Sequence, residues 1–468
     1  MELVAPAGNI EKLRYAYAYG ADTAYIGLKK FSLRVKADNF YGEEYNEIKQ
    51  LKAQYPDKRL FCALNIAFHN KDIDNFLADL DFFRQYPIDA FIIQDIGMIN
   101  ILKKHFPNTH LHLSTQANCI NREAVKMYHD LGFNRIVLGR EASLKEIREI
   151  KDAVPEMELE VFAHGAMCVA YSGRCLLSAY TTARSANSGF CSHACRWDYK
   201  VLEERERPGE YFPIFEGEDY TAVLSSKDLC MIDHLDDMKA AGVDALKIEG
   251  RMKSLYYVAM VTLAYRKQID ALEGKISKEE AAPYVAELYK AAHREFATGF
   301  YYRREDADKT TTGASDSEYE LMGTIGRCVD KNEVLALAAK NKEADQKAFD
   351  EMHPQKKAAV LEARQAHNEE HVFAEPKDGW QFFEYNSMNK LDSGTLLEFV
   401  GPDVTVLKDE NYQFVDPKTG MIRNWISHGH ECLIYTSKDI KPNFIVRAKS
   451  TEPASTVRYP NLQKELDC

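Results

Sequence analysis

Four cysteines, Cys168, Cys175, Cys191 and Cys195, fall within 28 residues of a 468-residue chain that holds ten in all. Their spacing is C-x6-C-x15-C-x3-C, and a fifth thiol, Cys230, follows in the string SSKDLC. In a reducing compartment, thiols gathered in this way act as metal ligands or nucleophiles rather than as staples. A soft metal binds sulfur and lowers the pKa of each thiol it meets. A structural zinc site draws on closely spaced pairs, and only Cys191 and Cys195, with His193 between them, have that spacing, so zinc is an alternative. An iron–sulfur cube takes single thiolates from separate loops, which fits the wide spacing and a distant fourth ligand. A nucleophile, for example Cys168 beside His164, explains one thiol and not four. The peptidase motifs HExxH and GxSxG are absent from the sequence. Thiols packed in an apolar loop are disfavoured, because Gly, Ser, Arg and His interleave them. Cys62, Cys119, Cys328, Cys432 and Cys468 are scattered singly and read as small hydrophobes or a tail residue.

The elements that must position these thiols alternate. From residue 1 to about 270, short apolar runs alternate with amphipathic helical patterns, as in βα units around a parallel sheet. Gly20, Gly132 and Gly242 end helices before apolar runs, and Pro56, Pro87, Pro107 and Pro155 do the same by another means. Eight strands are predicted near residues 2–5, 23–27, 60–65, 89–94, 111–115, 135–139, 158–164 and 244–249. Eight such units imply an α/β fold of TIM type, a (βα)8 barrel. An open doubly wound sheet is the rival, but the GxGxxG turn after the first strand is missing.

Residues 165–229 interrupt the seventh unit, between its strand and a helix predicted over 229–241. This Cys-rich insertion therefore belongs over the catalytic face of the barrel. The strand ends there offer Asn65, Gln94, Asp95, Ser114 to Gln116, Arg140, Glu141, His164, Lys247, Glu249 and Arg251. Some of these would neutralise one another as salt bridges. The predicted division is a barrel with its helical annex (274–309) over residues 1–309, a linker at 310–318, and a small C-terminal β-barrel-like domain over 319–468. The Ala-, Glu- and Lys-rich stretch 333–370 reads as a solvated helical insertion in that domain.

Lys and Arg number 60 against 72 Asp and Glu, a formal charge of -12, so the surface as a whole is no nucleic-acid coat. The chain from residue 321 has 19 basic against 23 acidic residues, which leaves any RNA contact to a local patch such as Arg174, Arg184 and Arg196 beside the cysteines. Hydrophobic residues at 45% and charged residues at 28% exclude disordered and low-complexity classes. No run of 18 apolar residues is present and the first residues lack signal-peptide zones, so a cytoplasmic protein without a membrane partner is expected.

Residues 160–178, EVFAHGAMCVAYSGRCLLS, resemble the diagnostic motif of the U32 family, historically labelled collagenase-like peptidases. The opening APAG, SSKDLCMIDHL at 225–235 and KIEGRMKS at 247–254 support the match over the whole barrel. The resemblance implies an oxygen-independent hydroxylase carrying a 4Fe-4S cluster, with tRNA wobble uridine as substrate and prephenate as hydroxyl source. Ribosomal RNA, ubiquinone and, on the older label, peptides are the alternative substrates. It further implies Cys168, Cys175, Cys191 and Cys230 as cluster ligands, with Cys195 as the fallback for the fourth. Cys230 is preferred because SSKDLC would open a helix whose amides face the cluster. A dicarboxylate co-substrate calls for guanidinium clamps, expected at Arg140 and Arg251 and supported by Glu141, Lys247 and Arg174. His164 is expected to move a proton, and Glu249 and Gln94 to complete the catalytic set. Partner proteins would be accessory U32-family or iron–sulfur assembly proteins.

Overall fold

The structure is a computed structural model that describes residues 1–29, 31–34, 38–168, 170–182, 185–188, 190–192, 194–196, 215–216, 221–222, 226–303, 317–357, 360 and 372–450. Arg184, His193, most of the second half of the Cys-rich insertion, the linker at 310–316, residues 361–370 of the helical insertion and the chain from 451 lie outside the described residues. The chain divides into two compact units, Met1–Ser317 and Glu318–Pro453.

In the first unit, eight strands form a closed parallel barrel. They are β1 (Glu2–Pro6), β2 (Thr23–Ile26), β3 (Arg59–Leu64), β4 (Ala90–Ile93), β5 (His110–Leu113), β6 (Arg135–Val137), β7 (Glu158–Ala166) and, beyond short strands that include β8 (Asp228–Cys230), β9 (Ala245–Ile248). Each pairs in parallel with its neighbour, and β9 closes the ring by pairing Ala245 with Glu2 of β1 and with Glu160 of β7. The strands run nearly fully buried, as expected where helices cover the outside and side chains fill the inside. Local signals set the helix ends. Ser143 and Ser277 open helices with capping boxes to Glu146 and Glu280. The helix-ending Gly20, Gly132 and Gly242 all stand at positive φ, where a Cβ would be strained.

The eight predicted strands are all present, each within two residues of its expected bounds. Two expectations about the flanking elements need correction. Leu229 does not begin a helix: Asp228–Cys230 form a short strand, β8, antiparallel to β7, and the helix starts only at Leu235 after a 3-10 turn. The reason lies in Asp228, whose buried carboxylate accepts hydrogen bonds from the backbone and side chain of Arg294 and draws β8 beside Phe296–Ala297 (β10). The annex expected over 274–309 is a helix only over Lys278–Leu288 among its described residues, since the chain then turns to deliver Arg294.

The second unit is an antiparallel sheet of eight strands, ordered Val404–Asp409, Leu397–Gly401, Ile445–Lys449, Tyr319–Val329, Gln381–Ser387, Glu431–Thr436, Gln413–Val415 and Ile422–Arg423. One face carries Phe383, Tyr385, Phe399, Phe414, Ile434 and Val446 as its core. The helix of the insertion spans Lys331–Asp350, capped by Asp330. It is not wholly solvated: Val334 and Ala338 pack with Phe382 and Tyr435 on the sheet's other face.

Candidate active site

Ionisable residues fill the barrel in two tiers. The lower tier is set by β1, β6 and β7, whose alternation turns Glu2, Arg135, Glu158 and Glu160 toward one another. Arg135, 1% exposed, donates to Glu2 (2.5 Å), Glu158 (2.7 Å) and Glu160 (3.1 Å). Arg59 also pairs with Glu2. Glu160 accepts a 2.6 Å hydrogen bond from the Lys247 ammonium. Burial alone would raise the Glu160 carboxyl, but Lys247 and Arg135 outweigh it and hold it below its ordinary value.

The upper tier lines a cleft of about 60 Å³ at the C-terminal ends of the strands. Such a position is where barrel enzymes place their chemistry. Its walls include Tyr25, Arg34, Asn65, Ser114, Gln116, Arg140, Phe162, Lys247, Glu249 and Arg251. Among the described residues, Glu249 is the only carboxylate in that lining. Arg34 approaches it at 3.1 Å and Arg140 at 3.8 Å. Burial pushes the Glu249 carboxyl up, yet Arg34, Arg140 and Arg251 together bring it below its ordinary value, so it is ionised. Arg140 lies 3.9 Å above the Phe162 ring, which fixes the plane of its guanidinium. Arg251, 2% exposed, donates to Ser32 Oγ at 2.7 Å. Its Nε has no hydrogen-bond partner among the described residues. Burial lowers the Arg251 pKa to about 10.

Of the expected site residues, Arg140, Lys247, Glu249 and Arg251 therefore come together. Four others do not line the cleft. His164 is buried on the outer side of β7, among Tyr257, Tyr265 and Phe296, and burial lowers its pKa to about 3. It is a neutral packing histidine, because alternation along β7 turns Phe162 inward and a register shift opposite Lys247 and Ile248 follows it. Gln94 ties β4 to β3 by donating to the Asn65 carbonyl at 2.9 Å. Glu141 accepts from the Ser172 amide (2.7 Å) and from Asn118 (3.2 Å), and so anchors the Cys-rich insertion. Arg174 is exposed in the turn after Tyr171. The sequence reading missed Arg34 and Tyr25. Arg34 lies eight residues beyond the end of β2, and an inspection of strand ends alone does not reach it.

The insertion is fastened over this mouth. Gly173, at φ +75°, lies so close to Gln116 that a Cβ would stand 1.9 Å from its carbonyl oxygen. Ala67 donates to the Asn187 carbonyl, and Asn187 in turn donates to that of Cys175. The donor chemistry of the insertion suits a soft metal or cluster: Cys168 is exposed, and Cys175, Cys191 and Cys195 are partly exposed. Among the described residues, however, no three His, Cys, Asp or Glu side chains gather around one point. Cys230 ends β8 instead of opening a helix; burial pushes its thiol up to about 11, and its sulfur lies 4.0 Å from the Tyr265 hydroxyl.

Comparison with known proteins agrees with this architecture. The family model for peptidase family U32 matches residues 8–311. The chain is 37% identical over 394 residues to tRNA hydroxylation protein P of Escherichia coli (strain K12), covering 76% of this chain and 86% of that protein. It is 38% identical over 356 residues to tRNA hydroxylation protein P1 of Bacillus subtilis (strain 168), covering 74% and 83%. It is also 35% identical over 336 residues to the 23S rRNA 5-hydroxycytidine C2501 synthase of Escherichia coli (strain K12), covering 70% of this chain and 49% of that one.

Proposed function

The chain belongs to peptidase family U32, and from that premise we propose that it is a cytoplasmic tRNA-modifying enzyme that hydroxylates wobble uridine at C5 without molecular oxygen. The observation that carries this reading is the similarity, over about three quarters of the chain, to proteins named for tRNA hydroxylation. The barrel mouth supports it, because a cleft whose charged lining is three guanidiniums, one ammonium and one carboxylate suits an anionic co-substrate better than a neutral peptide bond.

In this reading prephenate or a similar dicarboxylate supplies the hydroxyl group, with Arg140 and Arg251 as its clamps. Phe162 holds Arg140 flat, Ser32 orients Arg251, and Glu160 anchors Lys247. Glu249, ionised beside the donor, is the group in the cleft able to accept a proton. Cys168, Cys175, Cys191 and Cys230 would hold a 4Fe-4S cluster, with Cys195 as the alternative to Cys230. When bound, the cluster supplies electron transfer. The uridine enters from a loop of unpaired bases, where C5 is accessible.

The decisive experiment is nucleoside analysis of tRNA from a deletion strain. Loss of 5-hydroxyuridine and its derivatives, restored by the gene, is expected. An unchanged tRNA profile with loss of a ribosomal hydroxycytidine or of ubiquinone would overturn the assignment in favour of those substrates. Cleavage of gelatin by the purified protein, abolished by Glu249→Gln, would instead support the peptidase label.

A further inference from the structure

We propose that Tyr257 is a positioning residue, whose hydroxyl fixes the Glu249–Gly250 peptide and thereby the placement of the Glu249 and Arg251 side chains in the cleft. This rests on the reading of the cleft as the reaction site and adds to it a residue outside its lining.

The inference starts from the turn that leaves β9. The string KIEGRMKS ends at Ser254, which caps the helix Leu255–Leu272 by accepting from the Tyr257 amide at 3.2 Å. Tyr257 is thereby held in the first turn of that helix. It is 3% exposed, and its hydroxyl donates to the Glu249 carbonyl oxygen at 2.9 Å. The Glu249 amide donates to the His164 carbonyl at 2.9 Å, and the Lys253 amide closes the turn on the Gly250 carbonyl at 2.8 Å.

The space around this contact is cut to the tyrosine. A Cβ on Gly165 would stand 2.4 Å from the Glu249 carbonyl oxygen and 3.0 Å from the Tyr257 hydroxyl oxygen. A Cβ on Gly250 would stand 2.5 Å from Cε1 of the Tyr257 ring. Two glycines, one on β7 and one in the turn, thus make room for one side chain. Glycine at 250 also loosens the chain, because a residue without Cβ leaves its backbone free to rotate. A buried carbonyl needs a donor, and the hydroxyl that supplies one to Glu249 also stops this peptide from turning. Rotation there would swing Glu249 away from Arg34, 3.1 Å distant, and draw Arg251 off Ser32.

Tyr265 shows a bracing tyrosine without this role. It lies two turns further along the same helix, is 0% exposed, and sets its ring 5.6 Å from that of His164, against 5.8 Å for Tyr257. Its hydroxyl donates to the Ala163 carbonyl at 2.7 Å and accepts from the Met231 amide at 3.1 Å. It therefore ties β7 to the residue after β8 rather than to the turn that carries Glu249 and Arg251.

The test is Tyr257→Phe in the full-length chain, with Tyr265→Phe as control, read by hydrogen–deuterium exchange and by steady-state tRNA hydroxylation. Phenylalanine keeps the ring in its slot and removes one hydrogen bond. Tyr257→Phe should melt cooperatively and exchange about tenfold faster over residues 249–253, with β1 to β4 unchanged. A residue that only stabilises the fold would speed exchange throughout the barrel instead. Hydroxylation should lose at least about tenfold in kcat, with KM for tRNA within about twofold, because misplaced groups cost rate rather than binding. Tyr265→Phe should leave exchange over residues 249–253 at the wild-type rate. Loss of the cooperative fold, unchanged or barrel-wide exchange in Tyr257→Phe, equal loosening of residues 249–253 in both variants, or an unchanged kcat would overturn the inference. A wild-type protein that leaves tRNA unmodified would refute the hydroxylase reading alone; the exchange contrast between the two variants needs no tRNA and would still decide this one.

Discussion

Glu160→Gln is the perturbation whose cost follows most directly from the structure. The side chain is 0% exposed, accepts from Lys247 at 2.6 Å and from Arg135 at 3.1 Å, and has no contact with solvent that could replace either. Glutamine keeps the shape but leaves two buried cations facing a neutral amide. Breaking a buried pair in this way costs about 3–5 kcal/mol, because the partner's desolvation is no longer offset. Spread over the unit Met1–Ser317, this corresponds to about 6–10 °C in melting temperature at about 2 °C per kcal/mol. The sign with pH is fixed by the depressed folded-state value of Glu160. Its stabilisation is present above the ordinary carboxyl pKa and is lost as pH falls through the folded value. The penalty for the variant should thus be constant from about pH 8 to about pH 5 and shrink only in stronger acid. Scanning calorimetry, which separates the barrel transition from that of the second unit, is the assay. Adding Lys247→Met should recover part of the loss, a coupling of about 1–3 kcal/mol between the two positions. A single-variant loss below about 1 kcal/mol, or penalties that add within about 0.5 kcal/mol, would refute the argument that the two tiers are electrostatically joined.

Other expectations follow from the placement of particular residues. Gly173→Ala should undock the Cys-rich insertion and lower tRNA hydroxylation at least about tenfold while the barrel still melts cooperatively, since its Cβ would collide with the Gln116 carbonyl oxygen; full activity would contradict the docking. His164→Asn should leave the pH dependence of activity unchanged, because the imidazole is buried away from the cleft and already neutral, and a displaced pH optimum would restore it as a proton carrier. Protein purified without oxygen should contain iron and sulfide in equal amounts, with serine at Cys168, Cys175 or Cys191 abolishing both; a colourless protein carrying one zinc would sink the cluster.

How much of this was legible beforehand depended on whether a signal was local. The strands and their order were readable because each is a short apolar run closed by a residue with its own backbone requirement, as at Gly20, Gly132 and Gly242. The element after the insertion was not. The run DLCMIDHL carries a helical pattern, but the pairing of Asp228 with Arg294, 66 residues on, holds Asp228–Cys230 in a strand. No window of the sequence contains both partners. The same limit explains His164, whose place at the end of an apolar strand, two residues after the inward Phe162, suggested the barrel mouth, although a register shift delivers it to the outer wall.

The site itself shows why a net charge of -12 misleads about what the protein can hold. Charge acts over about 8 Å at physiological salt, less than the width of the barrel, so a ligand at the mouth responds to the residues lining it and hardly to the acidic exterior. Three arginines reach that mouth from separate parts of the chain: Arg34 from the loop after β2, Arg140 from β6 and Arg251 from β9. Sequence motifs could indicate Arg140 and Arg251 because each lies just past a predicted strand. Arg34 becomes visible only when Glu249 is seen to face it at 3.1 Å. The guanidiniums outnumber the single carboxylate they share, and the surplus sits where Phe162 and Ser32 prevent Arg140 and Arg251 from turning to solvent. In the proposed reading, arginines so restrained are completed by the anionic co-substrate.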